Sequence, residues 1–256
     1  MINSSINTFS QSVLRKFINK YSIDRKMKIV NPGNEDYHMH SMTYSDGLNT
    51  IDEIVKFAGD IGLKKIAITD HSDATLRKYP QMGAAAWRSF VCPKPGRKRR
   101  WENVYNKVEV VFGIEGDLLN KDGDICEDIQ GIKGNFLILS AHGGIYDDEP
   151  ATITEAYLNA LKKHHSQIDL LGHPCITDFQ RHLDIEAVTK AANQYQVPLE
   201  FNCANLVNGK TNMENLRIML QLAERIYVNS DAHTMKELRD NRKIGYRFLR
   251  ENHFIK

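Results

Sequence analysis

Short apolar runs rich in β-branched and aromatic residues alternate with segments of helical period along most of the chain. In residues 152–165, for example, apolar side chains recur at the i, i+3, i+4, i+7 and i+8 positions of an amphipathic helix. The runs predict seven strands, over residues 35–40, 65–70, 109–115, 136–140, 168–172, 197–202 and 226–230. Strands and helices are therefore expected to take turns along the chain.

Several predicted helices begin with a capping box, in which Ser or Thr is followed three residues later by Glu. The four pairs are Thr50 and Glu53, Thr152 and Glu155, Thr211 and Glu214, and Thr234 and Glu237. Gly62 follows the first helix, where a left-handed cap is favoured. Seven strand–loop–helix units predict an α/β fold with a parallel sheet. Their number favours a closed (β/α) barrel, and an open doubly wound sheet remains the alternative.

Residues 1–33 precede this repeating pattern. Phe9, Val13, Phe17 and Tyr21 recur every four residues, which predicts an amphipathic helix packed against the barrel. The chain is therefore divided into a short N-terminal helical extension, residues 1–33, and a barrel domain, residues 34–256. The interval between the second and third strands, residues 72–106, is long enough to be an insertion.

Composition excludes several classes of protein. With 41% hydrophobic and 26% charged residues the chain is an ordinary globular protein, and it has no run of 18 apolar residues that could cross a membrane. The start of the chain lacks the features of a secretory signal. The four cysteines form no C-x-x-C pair, which favours free thiols in a reducing compartment. We expect a cytoplasmic protein without a membrane partner, and a net charge of +2 does not by itself indicate nucleic acid.

Ligand-type side chains stand at or just after the end of every predicted strand. They are His38, His40, Asp70, His71, Glu115, His142, His173, Glu200, Asn202, Asp231 and His233. Most successive ends are 27 to 31 residues apart, and a βαβ unit needs about 30 residues. Each unit therefore returns a ligand-type side chain to the carboxyl end of the barrel, where such folds build their active sites.

The residue types at these ends indicate a metal centre. A lone histidine usually has a structural role, but six histidines at matching strand ends indicate a functional one. In the H-x-H pair His38 and His40, alternation along the strand directs both rings to one side. Histidine and carboxylate without thiolate suit Zn, Mn or Fe in sites that keep open positions.

The ordered set of motifs resembles the PHP (polymerase and histidinol phosphatase) domain family. The motifs are DYHMHS (36–41), SDG (45–47), ITDH (68–71), GIE (113–115), SAH (140–142), GHP (172–174), EFN (200–202) and SDAH (230–233). The resemblance implies a distorted, TIM-like (β/α)7 barrel that holds two to three divalent metal ions. Carried over by position, it implies one site of His38, His40, Glu115 and Asp231, a second in which Glu115 bridges to His142 and His173, and a third of Asp46, His71 and His233.

Charge counting then suggests a substrate. Three divalent ions, three carboxylates and one hydroxide leave a charge of about +2, which matches a phosphate monoester dianion. We expect a phosphatase that hydrolyses a small monoester through a metal-bound hydroxide. Asp70 is a candidate catalytic residue, as an orienting group or a proton carrier.

Three other functions stay open at this stage. PHP domains also act as nucleases, so a phosphodiester of DNA or RNA is the main alternative substrate. An amidohydrolase-type C–N hydrolase and a non-catalytic barrel resemble the chain less. The basic run KPGRKRR (residues 94–100) is either a solvated surface, a site for one phosphate group or a polynucleotide contact. On the small-substrate interpretation, Arg97 and Arg99 bind an anionic group of the substrate.

Overall fold

The computed structural model of the protein describes residues 27–82, 101–179 and 181–256. The predicted N-terminal helix and the basic run with Arg97 and Arg99 lie outside these ranges, so both remain predictions. In the described part of the chain, every helix is too short or too polar to span a membrane.

The described residues form one curled sheet of parallel strands. Its strands along the chain are β1 (Lys28–Ile29), β2 (Glu35–Asp36), β3 (Lys65–His71), β4 (Glu109–Leu118), β8 (Leu137–Ser140), β9 (Leu170–Leu171), β10 (Leu199–Asn202) and β11 (Arg225–Asn229). Neighbours follow the order β1-β11-β10-β9-β8-β4-β3-β2, and every pair on this path is parallel. Three short strands add antiparallel pairs, β5 (Ile125–Cys126) on β4, and β6 (Asp128–Ile129) with β7 (Ile132–Lys133).

The two edges of the curled sheet meet at the segment that follows β2. The backbone oxygen of Met39 accepts a hydrogen bond from Thr69 in β3 at 2.9 Å, and the backbone N–H of His40 donates to Ala232, after β11, at 2.9 Å. Met39 and Ala232 also form a parallel bridge. The prediction of an α/β, TIM-like barrel is therefore confirmed, and each of the seven predicted strands has an observed counterpart.

β1 belongs to this sheet although it precedes residue 34. It pairs with β11 through Lys28 and Ile29. The helix predicted for the extension lies outside the described residues, so the boundary at residue 33 remains a prediction.

Helices cover the outer side of the sheet. They are α1 (Ile51–Asp60), α2 (Asp73–Lys78), α3 (Ile153–His164), α4 (Ile185–Gln194), α5 (Cys203–Val207), α6 (Met213–Leu222) and α7 (Met235–Glu251). Thr50 caps α1 in a full capping box with Glu53, as predicted. Gly62 follows α1 with φ +84°, the left-handed conformation predicted for it. Thr234 caps α7, but Glu237 accepts from the backbone N–H of His233 rather than from Thr234.

Two predicted capping boxes are wrong. The hydroxyl of Thr152 donates to the backbone oxygen of Glu149 instead of capping α3, because a 3-10 turn precedes that helix. At α6 the cap is Asn212, whose side chain accepts from the second and third residues of the helix. Asn is at least as strong a cap as Thr, so it displaces the helix start by one residue from Thr211.

The interior of the barrel is apolar at the amino-terminal end and polar at the carboxyl end. Tyr37, Phe136 and Tyr227 pack at the amino-terminal end, with ring centroids 5.2 to 5.8 Å apart. Alternation along β4 then carries the inward positions from Val111 to Glu115. This arrangement gives the polar residues a rigid apolar base.

Candidate metal centre

The structure brings all nine predicted ligands together at the carboxyl end of the barrel. They are His38, His40, Asp46, His71, Glu115, His142, His173, Asp231 and His233. His38 and Glu115 are almost fully buried, whereas the Asp46 side chain is 49% exposed. The cluster is therefore a deep, polar centre that opens to solvent on the side of Asp46.

The first group of ligand atoms comes from His38, His40 and Asp231. The two Nε2 atoms are 3.2 Å apart, so the H-x-H pair does face one side. Oδ1 of Asp231 lies 3.4 Å from Nε2 of His38 and 3.2 Å from Nε2 of His40. Three donor atoms thus converge where the segments that follow β2 and β11 meet.

Glu115 lies at the middle of the cluster. Its Oε1 is 2.8 Å from Nε2 of His173, 3.3 Å from Nε2 of His142 and 3.5 Å from Nε2 of His38. Its Oε2 is 3.0 Å from Nδ1 of His71. One carboxylate therefore reaches two groups of histidines, which is the position that a bridging ligand needs.

The third group contains Asp46, His71 and His233, with His40 close enough to join them. Oδ1 of Asp46 is 3.2 Å from Nε2 of His233 and 3.6 Å from Nε2 of His71. The next residue, Gly47, holds this loop in place, because a Cβ there would lie 2.2 Å from the backbone oxygen of His40. Only glycine lets the loop approach the strand end closely enough to deliver Asp46.

Protein oxygens hold the outer nitrogens of four of these histidines. Nδ1 of His38 is 2.8 Å from Glu200, and Nδ1 of His142 is 2.7 Å from Asp117. Nδ1 of His40 is 2.8 Å from the Ser45 hydroxyl, and Nδ1 of His233 is 3.1 Å from the backbone oxygen of Asp231. An imidazole that donates through Nδ1 carries its lone pair on Nε2, facing the cluster. Metal-bound histidines in proteins are held in this way.

The sequence prediction missed Asp117 and passed over Glu200 as a functional residue. Asp117 is fully buried, and its other oxygen accepts from the hydroxyls of Ser72 at 2.6 Å and Thr75 at 2.9 Å. The signal was available, because Asp117 stands two residues after Glu115 and Glu200 two before Asn202, on the same sides of their strands. β4 extends to Leu118, beyond its predicted end at residue 115, so Asp117 lies on the strand itself.

Asp70 faces the loop that carries Asp46. Its Oδ1 accepts from the backbone N–H of Ser41, and its Oδ2 from the Ser41 hydroxyl, both at 2.6 Å, and from the backbone N–H of Tyr44 at 3.2 Å. These contacts suit the orienting role predicted for Asp70. Its role as a proton carrier remains a prediction.

Two residues of the cluster have backbone angles that side chains other than glycine rarely adopt. His173 has φ +26° and Asp231 has φ +48°. Such strained conformations cost about 1–3 kcal/mol and are concentrated at functional sites. The surrounding barrel holds both residues in place despite this cost.

The electrostatics of the cluster leave two carboxylates and His40 in the forms that bind cations, whereas nearby carboxylates raise the pKa of His38 and His142 against the effect of burial. Burial favours the neutral form of Glu115, but His142 and His38 outweigh it and hold the pKa of Glu115 well below its usual range. The pKa of Asp231 is lowered in the same way, against burial, by His38. Burial and the neighbouring His233 lower the pKa of His40 to about 3, so this imidazole is neutral at pH 7.

The pKa of His71 is shifted in the opposite direction to that of His40. Burial opposes its protonation, but its contacts with Asp46 and Glu115 raise its pKa to about 9. The carboxylates that favour a positive charge on His71 would equally favour a cation beside it.

The donor atoms fit divalent metal ions. Three groups of side chains each bring ligand atoms within 4.8 Å of one another, namely His38–His40–Asp231, His71–Glu115–His142 and His40–Asp46–His71–His233. The grouping differs from the predicted one in four respects. His71 also belongs with Glu115 and His40 also with Asp46, whereas His173 joins none of these three groups and Glu115 is not grouped with His38, His40 and Asp231. Imidazole nitrogens and carboxylate oxygens, without thiolate, are the ligands of zinc, manganese and iron in open sites.

The chain is similar to proteins named as phosphatases. The probable phosphatase of Aeromonas salmonicida (strain A449) is 28% identical over 231 residues, which cover 86% of this chain and 85% of the relative. The probable phosphatase YcdX of Shigella flexneri serotype 5b (strain 8401) is 26% identical over 208 residues, 78% of each chain.

A solved structure has a similar fold. The histidinol phosphate phosphatase of Lactococcus lactis, crystallised with zinc, L-histidinol and phosphate, superposes with a TM-score of 0.51 at 15% identity, over 88% of this chain and 94% of the other. The family model of the PHP domain matches residues 36–204, which contain seven of the nine clustered ligands. The chain therefore belongs to the PHP domain family.

Proposed function

We propose that the protein is a metal-dependent phosphoesterase that hydrolyses a small phosphate monoester, using two to three divalent ions of zinc, manganese or iron. The broader class, a hydrolase of phosphoric esters, is common to the named relatives, which are phosphatases. The leaving group, the number of ions and their identity belong to the proposal.

One observation carries this proposal: three groups of donor atoms share residues instead of standing apart. His40 belongs to two groups, His71 belongs to two, and Glu115 contacts the histidines of more than one. Shared ligands keep several ions close together, and multinuclear sites of this kind clamp the oxygens of a phosphoryl group.

The proposal assigns distinct tasks to the residues around the ions. Bound ions would polarise the phosphoryl oxygens and lower the pKa of coordinated water. Asp117 and Glu200 fix the tautomers of His142 and His38 by accepting their Nδ1 protons. Asp70 holds the loop that carries Asp46.

The total charge does not decide between a monoester and a diester. The three ions, Glu115, Asp231, Asp46 and a hydroxide together carry a charge of about +2. Asp117 and Glu200 add two negative charges, so the net charge of the whole centre is close to zero. The depth of the centre supports a monoester instead. Glu115 and His38 lie at its base with almost no exposure, which suits a terminal phosphoryl group better than a continuous polymer backbone.

Three of the four cysteines lie in the described part of the chain. Cys126, Cys175 and Cys203 are buried and unpaired, and burial raises the pKa of Cys175 and Cys203. Such thiols are inert packing groups, so we assign them no part in the reaction.

Comparing a monoester with a diester tests the proposed reaction. Metal-loaded protein is incubated with p-nitrophenyl phosphate and with bis(p-nitrophenyl) phosphate, before and after chelation and metal return. We expect faster release from the monoester, loss with the chelator, and recovery with zinc or manganese. Activity should fall as the pH is lowered, because protons compete with the metal for histidine nitrogens such as those of His71, whose pKa Asp46 and Glu115 raise to about 9 against the effect of burial.

Two variants control for contaminating activity. His38→Ala should abolish turnover, whereas His182→Ala, an exposed histidine outside the cluster, should not alter it. Diester cleavage faster than monoester cleavage by orders of magnitude would replace the phosphatase with a nuclease.

A further inference from the structure

A small polar cavity lies beside His173, between the strand ends and the segment 205–216. Its lining includes His173, Asn202, Asn205, Thr211 and Leu216. Its volume of about 10 Å³ leaves room for the centre of one water molecule.

Three of these side chains each present a buried polar atom that has no protein partner. The atoms are Nδ1 of His173, Nδ2 of Asn205 and Oγ1 of Thr211. Buried polar groups in native proteins are nearly always hydrogen-bonded, to protein or to ordered water. Three unpartnered atoms around one cavity therefore point to a common ligand.

His173 differs in this respect from other histidines of the metal centre. The outer nitrogens of His38, His142 and His233 are held by protein oxygens at 2.7 to 3.1 Å. His173 also turns its Nε2 toward the cluster, where this atom lies 2.8 Å from Oε1 of Glu115. Its Nδ1, however, has no protein acceptor.

The neighbouring groups cannot supply the missing acceptor. The carboxylate of Glu200 already accepts four hydrogen bonds, from His38, Asn202, Asn229 and the backbone N–H of His173. The backbone of the cavity wall is also engaged, since Lys210 donates to the oxygen of Asn205 and Thr177 to the oxygen of Lys210.

We propose that this cavity is a binding site for one structural water, which holds His173 in its metal-binding tautomer. The water accepts from Nδ1–H of His173 and from Nδ2–H of Asn205 and shares a hydrogen bond with the hydroxyl of Thr211. Three such bonds are the usual number for a buried water. Asn205 and Thr211 are then positioning residues that act on Nε2 of His173 through the water. The functional part of this inference rests on the proposed metal centre.

Thr211→Val is the matched perturbation, because it removes the hydroxyl and keeps the shape of the side chain, and Thr211→Ser restores the hydroxyl. Crystals of the full chain, metal-free and zinc-loaded, show whether the water is present. Nitrogen NMR follows the exchange of the Nδ1 proton of His173, whose signal is assigned by its absence from the spectrum of His173→Gln. Chelator competition measures zinc affinity. We expect water in the wild type and Thr211→Ser. In Thr211→Val we expect its loss, faster exchange of the Nδ1 proton and roughly tenfold weaker zinc binding.

A dry cavity in the wild type would overturn the inference, and so would unchanged zinc affinity and proton exchange in a folded Thr211→Val variant. If Thr211→Val does not fold, Asn205→Leu tests the same water from its other partner. Failure of the protein to bind zinc at all would instead refute the proposed function. The two failures can be told apart, because crystals grown without metal still show whether the water is present.

Discussion

Replacing Asp117 should weaken metal binding although Asp117 is not itself a ligand. Its Oδ1 accepts the Nδ1 proton of His142 at 2.7 Å, in a position without solvent exposure. Asp117→Ala leaves that proton without an acceptor, so the Nε2 lone pair loses both its orientation and part of its basicity. Asp117→Asn keeps an oxygen in place and removes only the charge.

The structure allows the size of the effect to be worked out. A hydrogen bond to a charged group contributes about 1.5–3 kcal/mol, and a neutral one about 0.5–1.5 kcal/mol. Since 1.4 kcal/mol is about tenfold in affinity, Asp117→Ala should bind zinc roughly 10- to 100-fold more weakly. Asp117→Asn should lose about 3- to 10-fold, because it forfeits only the difference between the two bonds.

Chelator competition at neutral pH measures these affinities on folded protein, with circular dichroism as the check of folding. Thr75→Val is the matched control, since it breaks a 2.9 Å bond to the other oxygen of Asp117 and leaves His142 untouched. Zinc affinity of Asp117→Ala equal to that of the wild type, or a loss in Thr75→Val as large as in Asp117→Ala, would refute the positioning role.

Three further outcomes are expected. Glu115→Gln should lower the metal content by more than one equivalent in elemental analysis, because one carboxylate reaches two groups of histidines; loss of a single equivalent would argue against a bridge. Gly47→Ala should lower the free energy of unfolding by about 1–3 kcal/mol in thermal melts, because its Cβ has no space, whereas Gly33→Ala, with nothing within 4 Å, should not; equal melts would contradict the close approach. Arg97→Ala or Arg99→Ala should raise KM for the monoester with little dependence on salt, and equal, strongly salt-dependent losses on an oligonucleotide would favour nucleic acid instead.

The order of strands and the identity of the ligands could be predicted because both follow from local pattern. Seven apolar runs and their ligand-type ends stand in the sequence at the spacing of βα units. The ligands at the strand ends then followed from the spacing of these units, whereas Asp46, which lies on a loop, followed only from the resemblance to the PHP family.

Features that depend on competition between neighbours could not be predicted in the same way. Thr211 loses its helix cap to Asn212, and nothing in a capping box shows which of two adjacent caps is used. Pairing with β8 on one side and with β5 on the other extends β4 past Glu115, so that Asp117 lies on the strand and contacts His142. The strained backbones of His173 and Asp231 are likewise imposed by the assembled barrel.

The bond between His40 and Ala232 joins parts of the chain that lie far apart in the sequence. The group of His38, His40 and Asp231 spans the same seam, so it exists only while the barrel is closed there. An ion at that group would therefore bind the closed state in preference to the open one. At a concentration 100 times its Kd it would add about 2.7 kcal/mol to the stability of the closed state. Metal supply would then set how often the barrel opens at this seam, and with it how readily the segment after β2 is reached by proteases.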